Sequence, residues 1–334
     1  MAKSLAVPEK PKTKPLIPRI FDTFIRKPEF SAFVSLLLMI IIFSLSSSKF
    51  LTPASITSML TLAAELGTVA VGISFLMISG EFDLSVGSVF GMGAFLLATF
   101  VSKGISPVWA FIIVLISCAA MGLINGLITV KFKIPSFITT LGTMMLWRGV
   151  LLFITGGFPI IYKGDRLLLD ILGGRLVLML RMTTVWWLII TATFTILLTR
   201  TVYGNWTYAT GGNAQAARAV GVPVDKVRIV NFILCATLAG VAGMANMARF
   251  NIAQPTLGEG KELEAIAAAV VGGNLLTGGY GSILGTFLGA ITISIIRTGL
   301  VMMGVPPYLY LGITGVVVIV AVVVSTAIRK KTLE

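Results

Sequence analysis

The chain contains no histidine. Imidazole acid–base catalysis and histidine-ligated metal sites are therefore excluded. Charge is scarce too. Asp, Glu, Lys and Arg make up 12% of the 334 residues, against about 25% in an ordinary soluble domain. A soluble fold of this size could not keep its surface wet with so few. There are two cysteines, Cys118 and Cys235, each inside an apolar run. They read as buried small hydrophobes, not as a disulfide or a metal pair. No G-x-x-x-x-G-K-[ST] phosphate loop, G-x-S-x-G elbow, metal-ligand cluster or T-V-G-Y-G filter occurs. The glycine pairs at 211–212, 272–273 and 278–279 lack the Lys-Ser/Thr that a phosphate cradle uses. The expectation is a chain that is no enzyme and binds no cofactor or metal. Any energy it uses must come from a partner or an ion gradient.

What the chain has is apolar length. Hydrophobic residues make up 56% of it, and the mean hydropathy is +0.99. This predicts an all-α, polytopic membrane protein. About 20 residues are needed per crossing, and the apolar runs predict ten. They lie near 30–48, 54–79, 85–102, 107–130, 135–155, 183–202, 228–252, 262–277, 281–302 and 308–328. The runs at 85–102 and 262–277 are short, and either is a candidate for a broken or re-entrant helix.

The net charge of +13 does not point to nucleic acid, because the basic residues sit in tails and loops between spans. Residues 1–29 carry seven basic residues and no early apolar core, so they read as a tail and not a cleavable signal. A short interfacial segment around Ile20–Ile25 is expected there. With ten crossings both ends share a face. That face holds 16 basic residues and the other seven, so both termini are expected to be cytoplasmic. The predicted organisation is a tail at 1–29, a transmembrane domain at 30–328 and a second tail at 329–334. Two loops are long: 156–182 outside and 203–228 inside.

Gly87-Ser88-Val89-Phe90-Gly91 recurs as Gly281-Ser282-Ile283-Leu284-Gly285, offset by 194 residues. Each copy follows an apolar run that ends in a polar turn, Ser79–Asp83 or Gly272–Asn274. Both copies would run inside to outside, which predicts a parallel internal repeat with a solute path between its halves. Ionisable residues inside spans should face the protein interior. Glu65 is nearest the middle of its span and reads as an ion relay or as a paired, cavity-facing acid.

The inner loop reads Gly212-Asn213-Ala214-Gln215-Ala216-Ala217-Arg218-Ala219-Val220-Gly221-Val222-Pro223. Its alanines favour a helix over 213–220, with Asn213 as N-cap, Gly221 as the C′ glycine and Pro223 beyond. A short stiff helix between two spans suits docking of a cytoplasmic subunit.

Gln215-Ala216-Ala217-x-x-x-Gly221 resembles the E-A-A-x-x-x-G loop of ABC-importer permeases. Further segments resemble permeases of ribose-type sugar ABC importers, in the wider branched-chain amino-acid/sugar permease family. They are Asp83–Ser88, Pro135–Thr143, Arg148-Gly149, Thr155–Gly157, Ala265–Gly273 and Gly278–Ser282, and the likeness covers about residues 50–325. Glu81-Phe82-Asp83 departs from the Gly-Ile-Asp common in that family. The resemblance implies a permease subunit in a bacterial inner membrane, paired with a second copy or a related chain. It implies an ATP-binding subunit that holds ATP-Mg, an extracytoplasmic solute-binding protein, and a monosaccharide as the first candidate solute. It places ATPase coupling on Asn213, Gln215, Ala216, Ala217, Arg218 and Gly221. The expected path runs past Glu65, Glu81, Phe82, Asp83, Ser85, Ser88 and Asn274. The expected docking positions for the binding protein are Lys163, Arg166, Arg175 and Arg181. The alternative reading is a secondary, ion-coupled transporter using Glu65.

Overall fold

The computed structural model describes residues 28–176, 180–306 and parts of 308–320. The expected interfacial segment at 20–25, the first tail up to residue 27, the second tail and most of the tenth crossing lie outside the described residues. The helices are α1 (Pro28–Ser46), α2 (Pro53–Ile78), α3 (Val86–Ser102), α4 (Pro107–Phe132), α5 (Ser136–Thr155), α6 (Arg166–Gly173) and α7 (Met182–Arg200). They continue as α8 (Val202–Gly212), α9 (Ala214–Ala219), α10 (Val224–Phe250), α11 (Lys261–Val271) and α12 (Ile283–Met302). Two two-residue strands, β1 (Ile160–Ile161) and β2 (Ile252–Ala253), pair antiparallel.

The boundaries follow local chemistry. Pro53 and Pro107 stand in the first turns of α2 and α4, where a missing N–H costs nothing. Thr52 caps α2 by accepting from Ser55 N. Among the described residues seven helices are long and apolar enough to cross a membrane, and α3 falls one residue short of that length. The chain is a polytopic helical membrane protein. The count of ten is not reached in the described residues. The expected crossing at 262–277 is instead the 11-residue α11, about 16 Å of helix against a hydrocarbon core of about 30 Å. Gly272, Gly273 and Asn274 stop it, Gly273 with φ 89°.

The bundle is built around α2, which is nearly all buried, whereas little of α1 is buried. Close approach to α10 depends on small residues. A methyl group at Gly243 would overlap the Phe90 carbonyl, and one at Gly122 the Phe232 carbonyl. A methyl at Gly72 would lie 2.8 Å from Cys235 Cα. Trp187 fills the space beside Gly67 and stacks on Phe287 with ring centroids 4.3 Å apart. Both cysteines are buried and free.

Two interruptions each open a helix, in a register other than that of the recurring glycine motif. Ser85 stands at the N-cap of α3 and Ser282 at that of α12, an offset of 197 and not 194. In the first copy Gly87 lies inside its helix, and in the second Gly281 precedes it.

Candidate functional site

The first interruption, residues 79–85, joins α2 to α3. Gly80 turns the chain with φ 86°. Non-helical backbone within an apolar bundle must find partners inside the protein, and here α5 supplies them. Phe82 N donates to Ser136 Oγ at 3.1 Å, and Leu84 N donates to Thr140 Oγ1 at 3.0 Å. Asp83 Oδ1 accepts from Ser85 N at 2.7 Å and Ser85 Oγ at 2.6 Å. Asn125 Nδ2, from α4, reaches Asp83 Oδ2 at 3.2 Å and Ser85 Oγ at 2.8 Å. Ser88 Oγ donates to Met144 O at 2.8 Å. Asp83, Ser85 and Ser88 are all fully buried.

The second interruption, residues 272–282, joins α11 to α12 and uses the same device with an amide. Asn274 Oδ1 accepts from Ser282 N at 2.7 Å. Asn274 Nδ2 donates to Ser74 Oγ at 2.7 Å and Thr286 Oγ1 at 2.8 Å. In both places a carbonyl-type oxygen takes the N–H of the serine that opens the next helix. The two interruptions also touch, because Gly279 N donates to Ile78 O at 2.9 Å.

Between α10 and α11 the chain folds back into the bundle. Gly258 packs against the Gly87 carbonyl, and Gly243, seven residues before the end of α10, packs against Phe90. The chain thus returns below the end of α10. Arg148 Nη1 holds it by donating to Pro255 O at 3.1 Å and Leu257 O at 3.0 Å. Glu264 opens α11 beside Lys261 at 2.5 Å and Arg297 at 3.7 Å.

On the face opposite α9, Glu65 is 3% exposed. Its Oε1 lies 3.1 Å from Arg249 Nη1, and its Oε2 accepts from Asn246 Nδ2 at 2.8 Å. Both oxygens are thus engaged by α10. The ion-coupled alternative needs an acid free to exchange its ion, and this one is held as a strut between two helices. In the loop on that face Lys163, Arg166 and Arg175 are exposed. Arg181 is half-buried and donates to Gly173 O at 2.9 Å. Burial first, and then nearby Arg249 and Arg175, lower its pKa from the ordinary value.

The expected inner helix is α9. Asn213 Oδ1 accepts from Ala216 N at 3.0 Å. Gly221 has φ 86°. Its N–H donates to Arg218 O at 3.0 Å and Val222 N to Ala217 O at 2.9 Å. Asn213, Gln215, Ala216, Arg218 and Gly221 are exposed, and Ala217 is buried as the anchor. Val220, at the C-cap, is 80% exposed. Arg218 pairs with Asp225 in the first turn of α10. One turn on, Arg228 Nε lies 3.0 Å from Glu81 Oε1 in the first interruption. These side chains and Lys133 border a cavity of about 420 Å³.

The structure thus brings Glu81, Phe82, Asp83, Ser85 and Ser88 together, with Asn274 in the adjoining network and Glu65 apart on the other face. Sequence reasoning missed Asn125, Ser74, Thr286 and Arg228 as their partners. Asn125 carried a signal, as an amide inside an apolar run. Arg228 carried none, because a basic residue at a span end is ordinary. Among the described residues no cluster of three or more His, Cys, Asp or Glu could hold a metal ion.

Helices interrupted inside the bundle, with their polar backbone satisfied there, define a membrane transport protein. The family model described as the branched-chain amino acid transport system / permease component matches residues 55–322. The chain belongs to that family, and it is a permease component, not an enzyme. It is 36% identical to the ribose import permease protein of Bacillus subtilis, over 93% of this chain and 95% of that one. It is 35% identical to the xylose/arabinose import permease protein of Sulfolobus acidocaldarius, over 90% and 85%. It is 33% identical to the autoinducer 2 import system permease protein of Escherichia coli O157:H7, over 90% and 87%. No solved structure matches the chain.

Proposed function

We propose that this chain is the membrane-spanning subunit of an ATP-driven importer that carries a small hydroxylated solute, with a monosaccharide as first candidate. The observation that carries the ATP-driven part is α9. It is capped at both ends, exposed except at Ala214 and the buried Ala217, and followed by Val220 in solvent. A six-residue helix has no stability of its own, so its two caps and the Arg218–Asp225 pair suit a fixed docking knob for an ATP-binding subunit. The printed names of the relatives, ribose and xylose/arabinose import permeases, support the solute class.

In this reading α9 and both termini face the cytoplasm, and ATP-Mg binds in the partner. Lys163, Arg166 and Arg175 on the outer loop meet carboxylates of a solute-binding protein, while Arg181 braces that loop. Two permease copies share one assembly. The solute passes near the interrupted segments, where Phe82 is half-buried and Asp83, Ser85, Ser88 and Asn274 hold the backbone open. Glu65 acts as a strut and not as part of the path.

Gentle detergent purification of the chain from native membranes, followed by mass spectrometry, tests the reading. An ATP-binding subunit in about equal amount is the expected result. A chain that comes down folded and alone, and that takes up solute from a gradient in vesicles, would overturn it.

A further inference from the structure

Resting on the importer reading, the geometry points to Arg228 and Glu81 as the positioning pair that carries movement of α9 into the first interruption. The chain of contacts is short. Arg218 on α9 is paired with Asp225 in the first turn of α10. Arg228 follows three residues later, on the same side of that helix. It faces Glu81, with Nε 3.0 Å from Oε1 though not aligned as a hydrogen bond. The Arg228 side chain is 24% exposed and that of Glu81 10%. Arg228 is the one cation in ion-pair reach of Glu81 among the described residues. Parting the two would strand a nearly buried carboxylate, so they move together.

Glu81 sits where a push has most effect. On one side is Gly80, the left-handed residue that ends α2. On the other is Phe82, whose N–H hangs on Ser136 Oγ. The cavity of about 420 Å³ bordered by Glu81, Arg218, Asp225 and Arg228 gives the pair room to shift. The end of α8 is fitted closely against both interruptions. A methyl at Gly211 would overlap the Ile78 carbonyl and lie 2.6 Å from Gly279 N, and Tyr208 OH donates to Gly281 O at 2.8 Å. The contact at Gly211 is backbone on backbone and has no slack. The side-chain pair is the link that can swing.

The test uses the assembled complex with its ATP-binding subunit in nanodiscs. A maleimide reports on two introduced cysteines, Phe82→Cys in the interruption and Val220→Cys on α9. The native Cys118 and Cys235 are buried and give little background. In the parent, ATP should change the labelling rate at both positions by about fivefold or more, the lower end of ordinary allosteric coupling. With Glu81→Gln or Arg228→Met, the ATP response at position 220 should remain and that at position 82 should shrink below about twofold. The exchange of Glu81→Arg with Arg228→Glu should restore the response at position 82. A Glu81→Gln protein that responds at position 82 like the parent would overturn the inference. So would loss of both responses together, or an exchange that behaves like the single variants. If the parent itself shows no ATP response at position 220, the importer reading fails before any variant is made.

Discussion

Gly221 offers the sharpest test of α9 as a coupling element. Its φ is 86°, and nothing lies within 4 Å of where a Cβ would stand. Any penalty for a side chain is therefore conformational and not a collision. An alanine held in the left-handed region costs about 1–2 kcal/mol, and a β-branched residue more. The cap it supports is two hydrogen bonds, Gly221 N to Arg218 O and Val222 N to Ala217 O. A penalty of about 2 kcal/mol lowers the population of the capped helix relative to its uncapped form about 30-fold. The assay is a proteoliposome holding the permease, its ATP-binding subunit and a loaded binding protein, with ATP hydrolysis and solute uptake measured together. For Gly221→Val, hydrolysis should persist and uptake per ATP should fall at least about tenfold. Gly221→Ala should fall between Val and wild type. Gly221→Asn should stay near wild type, because asparagine tolerates this conformation. A valine variant that couples normally would refute the argument. So would an asparagine variant as impaired as valine, because the defect would then not follow φ.

Arg249→Met should lower thermal stability by about 3–5 kcal/mol by leaving Glu65 buried and unpaired. Adding Glu65→Gln should recover most of that loss, as read from the temperature at which Cys118 and Cys235 become reactive. Gly243→Ala should destabilise the chain by more than about 1 kcal/mol because its methyl meets the Phe90 carbonyl. Gly142→Ala, with open space around it, should be neutral or stabilising by the same melting measurement. Reversing Arg166 and Arg175 together should weaken capture of the binding protein about tenfold at low salt, because each exposed pair is worth about 0–1 kcal/mol. The effect should vanish near 1 M salt, where the screening length is about 3 Å; equal capture at low salt would remove both residues from the docking face.

The class of the protein and the position of α9 were legible in the sequence because both rest on local chemistry. Hydropathy reports what a stretch of chain prefers as solvent, and Asn213 and Gly221 are caps whose geometry is set within a few residues. The interruptions were half legible. The polar turns at 79–83 and 272–274 showed where the helices stop. Apolar residues continue through Leu275 and Leu276, so the run at 262–277 read as longer than α11. The recurring glycine motif and the two helix starts differ in offset by three residues, because Gly-x-x-x-G marks packing whereas Ser85 and Ser282 mark where helices open. The pairings were not legible at all. Glu65 and Arg249 are separated by 184 positions, and only the fold puts α2 against α10. Arg228 looks like any basic residue at a span end until Glu81 is seen opposite it.

The strut between Glu65 and Arg249 has a consequence for how the protein is made. α2 is the central helix of the bundle, yet it leaves the ribosome near the start. The 184 residues to its partner take about 10–40 s to synthesise at about 5–20 residues per second. Through that interval α2 carries an acid with no counter-charge from α10, and an acid within a span needs a partner inside the protein. The nascent helix must therefore wait beside the insertion machinery or lean on another segment until α10 arrives. The chain's biogenesis is consequently late-closing: its most buried helix is seated only after three-quarters of the protein has been built.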